Sequence, residues 1–257
     1  MRERVFIWLV VFGMMVSPCL AGDIMLYSWD QEVSGTAHGR DSGTGASVNG
    51  SLREDSNREM GFRFYTKFLG RKFEIGYFTM DNRSVLDATG AFSFNGTDFN
   101  VGLPINFQLD ANVFEFFPRW SIVSKDGSSL DLLFGIKLFD MQAEVTGTNQ
   151  ATGLAITEEL DEMVPVPQIG FHFRIGELKK GLRFEGIYKT LDIKVSDVDV
   201  KLQDIQFFAA YRTSEDFDVI VGWRKISNDF TVDEGAADEA GVDIENDGIF
   251  FGGRLNF

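Results

Sequence analysis

The chain has 257 residues and a formal net charge of −15, with 44% apolar and 25% charged side chains. So acidic a polypeptide repels polyanions, which excludes nucleic acid and argues against anionic lipid head groups as electrostatic partners. With one cysteine and two histidines in the whole sequence, no disulfide and no zinc-thiolate cage can form.

Arg2 and Arg4 precede an apolar run over residues 5–16, Pro18 breaks it, and Cys19, Leu20 and Ala21 supply the small residues a signal peptidase reads. This pattern predicts a signal peptide over residues 1–21, cleaved after Ala21, and a single mature domain over 22–257. The run is shorter than the roughly 20 apolar residues that cross a bilayer as a helix. Acylation of Cys19 is the rival reading, but Pro18 stands where a lipoprotein signal needs a small residue. Cleavage at Ala21 removes the only cysteine.

A first strand with weak alternation falls near residues 24–33. The glycine-rich stretch 35–45 follows, which lacks the Gly-Lys-Ser/Thr ending of a phosphate cradle and reads as a loop. Strict two-residue alternation then takes over. Met60, Phe62, Phe64 and Phe68 oppose Arg63 and Lys67; Phe73, Ile75 and Tyr77 oppose Lys72 and Glu74. The clearest run is 98–110, where Phe99, Val101, Leu103, Ile105, Phe107 and Leu109 alternate with polar residues, as in a single strand with one oily and one wet face. Over 113–120 the alternation fails, and Pro118 removes a ladder donor, which predicts a bulge or a strand end.

Further on, Leu130, Leu132, Phe134, Ile136 and Leu138 oppose Asp131 and Lys137; Ile169, Phe171, Phe173 and Ile175 oppose His172 and Arg174. Leu182, Phe184 and Tyr188 oppose Arg183, Glu185 and Lys189; Ile205, Phe207, Ala209 and Tyr211 oppose Gln206 and Arg212; Val219, Val221 and Trp223 oppose Asp218 and Arg224. Each segment has about the 9–11 residues with which a tilted strand crosses hydrocarbon. Ten strands result, with eight or twelve as alternatives. Links at 69–71, 176–181 and 213–216 are short, whereas 34–57, 84–96, 147–158 and 228–243 are long, the rhythm of an up-and-down meander. A soluble sandwich or lipocalin-like barrel is the rival architecture, with the apolar faces turned inward.

The chain ends with Ile249, Phe251, Leu255 and the terminal Phe257 on one face of a strand and Arg254 on the other. Behind a removable export segment, this ending resembles the closing strand of Gram-negative outer-membrane β-barrel proteins. The resemblance implies an all-β fold, a closed antiparallel up-and-down transmembrane barrel in the cell outer membrane, with short turns facing the periplasm. It implies Phe251, Leu255 and Phe257 as an assembly signal read by the barrel assembly machinery, and outer-membrane lipid and lipopolysaccharide as surroundings. It covers essentially the whole chain as architecture and transfers no functional residues.

If the apolar faces meet lipid, Arg63, Lys67, Lys72, Glu74, Lys137, His172, Arg174, Arg183, Glu185, Lys189, Arg212, Arg224 and Arg254 face the lumen. The expectation is a basic-rich interior that either fills with paired side chains or lines a narrow, anion-favouring, porin-like passage for small solutes. Asp229, Asp233, Glu234, Asp238, Glu239, Asp243, Glu245 and Asp247, with a second cluster at Glu158, Glu159, Asp161 and Glu162, read as solvated outward loops. A calcium or magnesium site there is the alternative to no cofactor at all, although residues 243–248 fail as an EF-hand because its twelfth position is Arg254.

The functional expectation is therefore a monomeric structural barrel or narrow passive channel. An adhesin-like barrel binding through its acidic loops is one alternative. A transporter of small hydrophobic ligands, opening laterally at Pro118 or at Pro165 and Pro167, is another. No catalytic residue is assigned. An outer-membrane hydrolase would have to rest on His172, on an inward face, or on His38 with Asp41 and Ser42 nearby, which is no recognisable triad.

Overall fold

The computed structural model describes residues 22–41, 46–86, 92–94, 97–99, 103, 105–178, 181–195, 198–233 and 239–257. The predicted signal segment and its cleavage point lie outside them. The strands are β1 (Gly22–Asp41), β2 (Ala46–Phe68), β3 (Arg71–Leu86), β4 (Phe92–Phe94), β5 (Thr97–Phe99), β6 (Ile105–Lys125), β7 (Ser128–Thr148), β8 (Ala155–Leu178), β9 (Leu182–Val195), β10 (Val198–Arg212), β11 (Phe217–Asp233) and β12 (Glu239–Asn256). All but β4 and β5 pair with their sequence neighbours into a closed antiparallel barrel of ten strands, and β1 meets β12. Phe257 and Gly22 exchange two backbone hydrogen bonds, 2.9 and 3.0 Å, where the ends of the chain join.

The short-turn end is built from tight hairpins. Leu69 and Gly70 (φ 51° and 78°) and Asp126 and Gly127 (φ 50° and 75°) are all left-handed, the geometry of a two-residue turn whose twist matches its strands. Just beyond these turns, even-numbered residues of β7 and odd-numbered residues of β8 point outward. Phe134, Ile169, Phe171, Phe207, Val221, Ile249, Phe251 and Leu255 are exposed members of an apolar belt around the barrel. So much contiguous apolar surface is stable only against hydrocarbon.

The belt gives way where two ladders stop. β2 and β3 are paired only from Phe68↔Arg71 to Gly61↔Phe78, and β8 and β9 only from Leu178↔Leu182 to Ile169↔Thr190. All other ladders continue, so the upper part divides into two walls. One contains β3, β6, β7 and β8; the other contains β9 to β12 with β1 and β2. Across the first seam, Asn57 Nδ2 donates to the Asp81 carbonyl at 3.4 Å, and Thr79 Oγ1 donates to the Glu59 carboxylate.

Three sequence expectations are corrected here. Residues 98–110 do not form one strand: Phe99 ends the small β4–β5 hairpin, and a new strand starts at Ile105. Of its oily row, Phe99, Ile105, Phe107 and Leu109 face inward: Phe99 and Ile105 are buried with Val33, Val145 and Ile244, and Phe107 and Leu109 pack against that cluster, while Leu103 is exposed. Above the belt the outside is water, so the apolar row turns to the centre. Secondly, residues 113–120 are regular strand. Val113, Glu115, Phe117 and Arg119 point inward and the intervening residues outward, and the register irregularity falls later, between Ser121 and Val123. Alternation failed there only because an inward Val and Phe joined the outward aromatics.

The third correction concerns the long loops. β1–β2 is paired up to Asp41↔Ala46, β7–β8 up to Thr148↔Ala155 and β11–β12 up to Asp233↔Glu239. Most of the acidic residues read as loop are therefore in strands, including Glu158 to Glu162, Asp229, Asp243, Glu245 and Asp247. Glu234 and Asp238 lie outside the described residues. Residues 35–41 of the glycine-rich stretch are likewise strand.

Candidate functional site: the ionic interior

Inward positions at belt level carry ions. Arg63 of β2, Glu74 of β3, Lys189 of β9, Asp204 of β10, Arg224 of β11 and Arg254 of β12 are all 0% exposed. Two carboxylates act as hubs. Glu115 Oε2 is 3.2 Å from Arg63, and Glu115 Oε1 is 3.2 Å from Lys189 Nζ, 3.3 Å from Lys137 Nζ and 3.7 Å from Arg224. Gly76 stands opposite it on β3, and a Cβ there would lie 2.6 Å from Glu115 Oε2. A glycine at this point gives the hub its space.

The second hub is nearer the short-turn end. Glu185 Oε1 accepts from Arg254 at 2.6 Å and Arg183 at 3.0 Å, its Oε2 lies 3.0 Å from His172 Nε2, and Arg174 approaches at 3.4 Å. Several links cross the bore between strands that are not neighbours. Arg63 donates to Gln206 on β10 at 2.6 Å, Lys137 on β7 to Asp204 on β10 at 2.6 Å, and Lys189 on β9 to Glu74 on β3 at 2.8 Å. Arg224 also bonds Asp204 at 2.8 Å and the Tyr27 hydroxyl at 3.1 Å, and stacks on Phe78 with 3.9 Å to the ring centroid. Lys189 Nζ sits 4.1 Å from the Phe117 ring centroid.

At the mouth of the short-turn end the ions become wetter. Arg119 and Lys72 pair with Asp131, and Arg183 and Arg212 with Asp218. Lys72, Arg174 and Arg212 are partly exposed and Lys67 is exposed. Toward the long-hairpin end, Asn246 Nδ2 donates to Gln31 and Asn82, both at 3.0 Å, and the apolar cluster around Phe99 closes the stack above them.

The paired interior expected from sequence gains acidic members. Glu115, Asp131, Asp204 and Asp218 join Glu74 and Glu185, so among the described residues six buried carboxylates face seven buried Lys and Arg. Glu115 was hidden in the segment whose alternation failed. Asp131 and Asp218 showed on polar faces, and Asp204 is placed inward by the same parity as Gln206.

His172 is sealed, with Nδ1 4.0 Å from Glu74 and its ring 5.7 Å from that of Tyr65. His38 is in β1 opposite Asn49, and its side chain lies outside the described ones, as does Ser42. Pro165 and Pro167 keep their register with β7, and the β8–β9 ladder stops two residues past Pro167, at Ile169. Phe251, Leu255 and Phe257 point outward, and Phe257 stacks on Phe64 at 6.2 Å. Among the described residues no three His, Cys, Asp or Glu side chains converge as a metal cage.

No protein-family model matches the chain, and neither does any curated protein. Among solved structures it is similar to the outer-membrane protease OmpT of Escherichia coli, with a TM-score of 0.57 and 10% identity over 92% of this chain and 97% of that one. The fold is that of a Gram-negative outer-membrane β-barrel. More distant likenesses are to the toluene transporter TodX of Pseudomonas putida (TM-score 0.33, 8% identity, 95% of this chain and 91% of that one) and to the attachment invasion locus protein Ail of Yersinia pestis (0.30, 9%, 90% and 99%). For this outer-membrane-type barrel, similarity at such identity describes architecture and carries no residue roles.

Proposed function

We propose that the chain resides in the outer membrane as a structural barrel with a sealed bore, and that it does not pass small solutes. The observation that carries this reading is the zero exposure of Arg63, Glu74, Lys189, Asp204 and Arg224. They are shut off from solvent, whereas conduction requires a continuous wet path with sites weak enough to leave. Near-equal numbers of buried cations and anions also remove the basis for anion selection.

On this reading residues 1–21 are removed on export, Phe251, Leu255 and Phe257 serve assembly, and the mature chain is a monomer among lipid and lipopolysaccharide. The test is planar-bilayer recording of refolded protein, with insertion verified by protease protection of the strands. Inserted protein should give no current steps; discrete, reproducible steps would refute the sealed bore.

A second reading, binding at the cell surface, is favoured by the two walls standing above the belt. It requires the long hairpins to face outward, as the short periplasmic turns of bacterial barrels support. Protease accessibility of those hairpins on intact cells tests this orientation.

A further inference from the structure

The two seams differ in chemistry. Polar side chains bridge the β2–β3 seam, whereas apolar ones flank the β8–β9 seam. Continuing the register of Ile169↔Thr190 would set Pro167 opposite Asp192, Val166 opposite Ile193 and Pro165 opposite Lys194. In an antiparallel sheet successive residues direct their N–H and C=O groups to alternate neighbours. The ladder with β7 runs unbroken past Pro165 and Pro167, so the nitrogens of both face β9, and neither carries a hydrogen. Two successive donor positions are therefore missing where β9 would zip on, which is why the ladder stops there.

Behind the seam the inward row is oily. Val164 of β8, Leu191 of β9, Val200 of β10 and Phe230 of β11 are half-buried and pack against the main apolar cluster, to which Val166 belongs. Ile193, on the inward parity of β9, is 39% exposed. An inward apolar side chain so exposed borders an opening. One inward position further down β7 and β10, the buried pair of Lys137 and Asp204 forms the floor. Outside, the belt climbs along the seam, since Met163, Pro165, Pro167, Ile169 and Phe171 all point outward and are exposed. The opening is thus continuous with surface that meets hydrocarbon. A β8 edge without N–H groups suits a hydrocarbon neighbour, beside which a free donor is costly, and does not suit an added peptide strand, which needs those donors. We propose that the cleft behind the β8–β9 seam holds an acyl chain of a membrane lipid, admitted sideways past Pro165 and Pro167. By the same alternation, Asp192 and Lys194 turn their N–H groups to the seam from β9, donors for the ester carbonyls of that lipid. This site lies beyond the sealed-bore reading and leaves it intact, because the cleft ends on the ionic layer; it rests only on the barrel standing in a membrane.

The experiment uses the full mature barrel in vesicles of phosphatidylethanolamine and phosphatidylglycerol, doped with a phosphatidylethanolamine that carries a diazirine at the end of one acyl chain. After photolysis, peptide mass spectrometry locates the labelled residues. Label at Phe171 marks an inserted belt, and label is expected as well on the inward Leu191, Ile193, Val200 or Phe230. I193E, at an exposed position outside the ionic interior, should lose the inward label and keep that at Phe171. P165V/P167V restores both donors, so the ladder should extend, the amides of 192 and 194 should exchange more slowly, and the inward label should be lost with them. Label confined to outward residues while Phe171 reacts, inward label that persists in I193E, or unchanged exchange and labelling in P165V/P167V would each overturn the proposal. A diazirine fatty acid added from water that labels the cleft where the phospholipid does not would assign it to a free acid and overturn the lipid as occupant. Absence of label at Phe171 would overturn the membrane placement itself, a failure distinct from that of the cleft.

Discussion

The belt and the walls above it solve the same problem in opposite ways. At belt level the barrel wears Phe, Leu and Ile outside and encloses Arg, Lys, Glu and Asp; above the ends of the β2–β3 and β8–β9 ladders it encloses Val33, Phe99, Ile105, Val145 and Ile244 and turns acidic side chains outward. β6 and β7 run through both zones without changing parity. On β6 the inward row passes from Ile105 and Phe107 to Glu115 and Arg119, so the switch is written in residue type and not in backbone geometry. What each face meets, hydrocarbon or water, decides which chemistry is stable on it. In the belt the interior must pair its ions because water is excluded; in the walls the interior packs as two sheets around a small apolar core.

The comparison can be broken first at the Glu115 hub. Glu115→Leu leaves Arg63, Lys137, Lys189 and Arg224 without a shared counter-charge, and loss of one partner from a buried ion pair costs about 3–5 kcal/mol. Denaturant unfolding in detergent should show it as a lowered midpoint, and Asp161→Leu, on the exposed edge, should leave that midpoint in place. In the upper zone the matching variant is Phe99→Ala, expected to cost about 3 kcal/mol through lost packing and the cavity left behind. Its effect should be confined to the walls: amides of 139–148 should exchange faster, while those around Glu185 stay protected.

Phe134→Arg places a charge on the lipid face and should cost about 2–4 kcal/mol near the bilayer midplane. The same substitution in a soluble barrel would be nearly neutral, so reversible unfolding from vesicles discriminates the two. The smallest expected effect is at Asp243, on the water side of the wall. Partial burial, with Asp229 and Glu245 close by, raises its carboxyl above the ordinary value. A raised acid favours the folded chain while protonated, and that contribution is lost as pH climbs from the usual carboxylate pKa through the raised one. Asp243→Asn should therefore slow exchange of amides 239–245 at neutral pH, and the difference from wild type should vanish below the carboxylate range.

Much of the fold was legible because the belt enforces a period of two: every alternating segment from Phe62 to Phe251 except 98–110 has its apolar row outside. That exception teaches the limit. Phe99 to Leu109 shows cleaner alternation than any belt strand, yet alternation reports that two faces differ and never which one is inside. The interior was half legible for the same kind of reason. Basic residues stood out on polar faces, whereas Glu115 sat between aromatic neighbours and its role depends on strands distant in sequence, with Arg63, Lys137, Lys189 and Arg224 converging only once the sheet closes. The division into two walls left no mark beyond Pro165 and Pro167. Residues 34–41, 46–57, 228–233 and 239–243 read as loops because polar strands lacking a lipid-facing side carry no apolar period.

The most direct measurement is a nitroxide accessibility scan in lipid vesicles, for which the proposed mature chain supplies a cysteine-free background. Labels at Phe134 and Phe171 should be reached by oxygen and shielded from a water-soluble nickel chelate, while labels at Ile105 and Val145 should be shielded from both. Chelate reaching Phe134 and Phe171 as readily as oxygen would mean that water surrounds the phenylalanine belt, and would contradict the reversal on which the account stands.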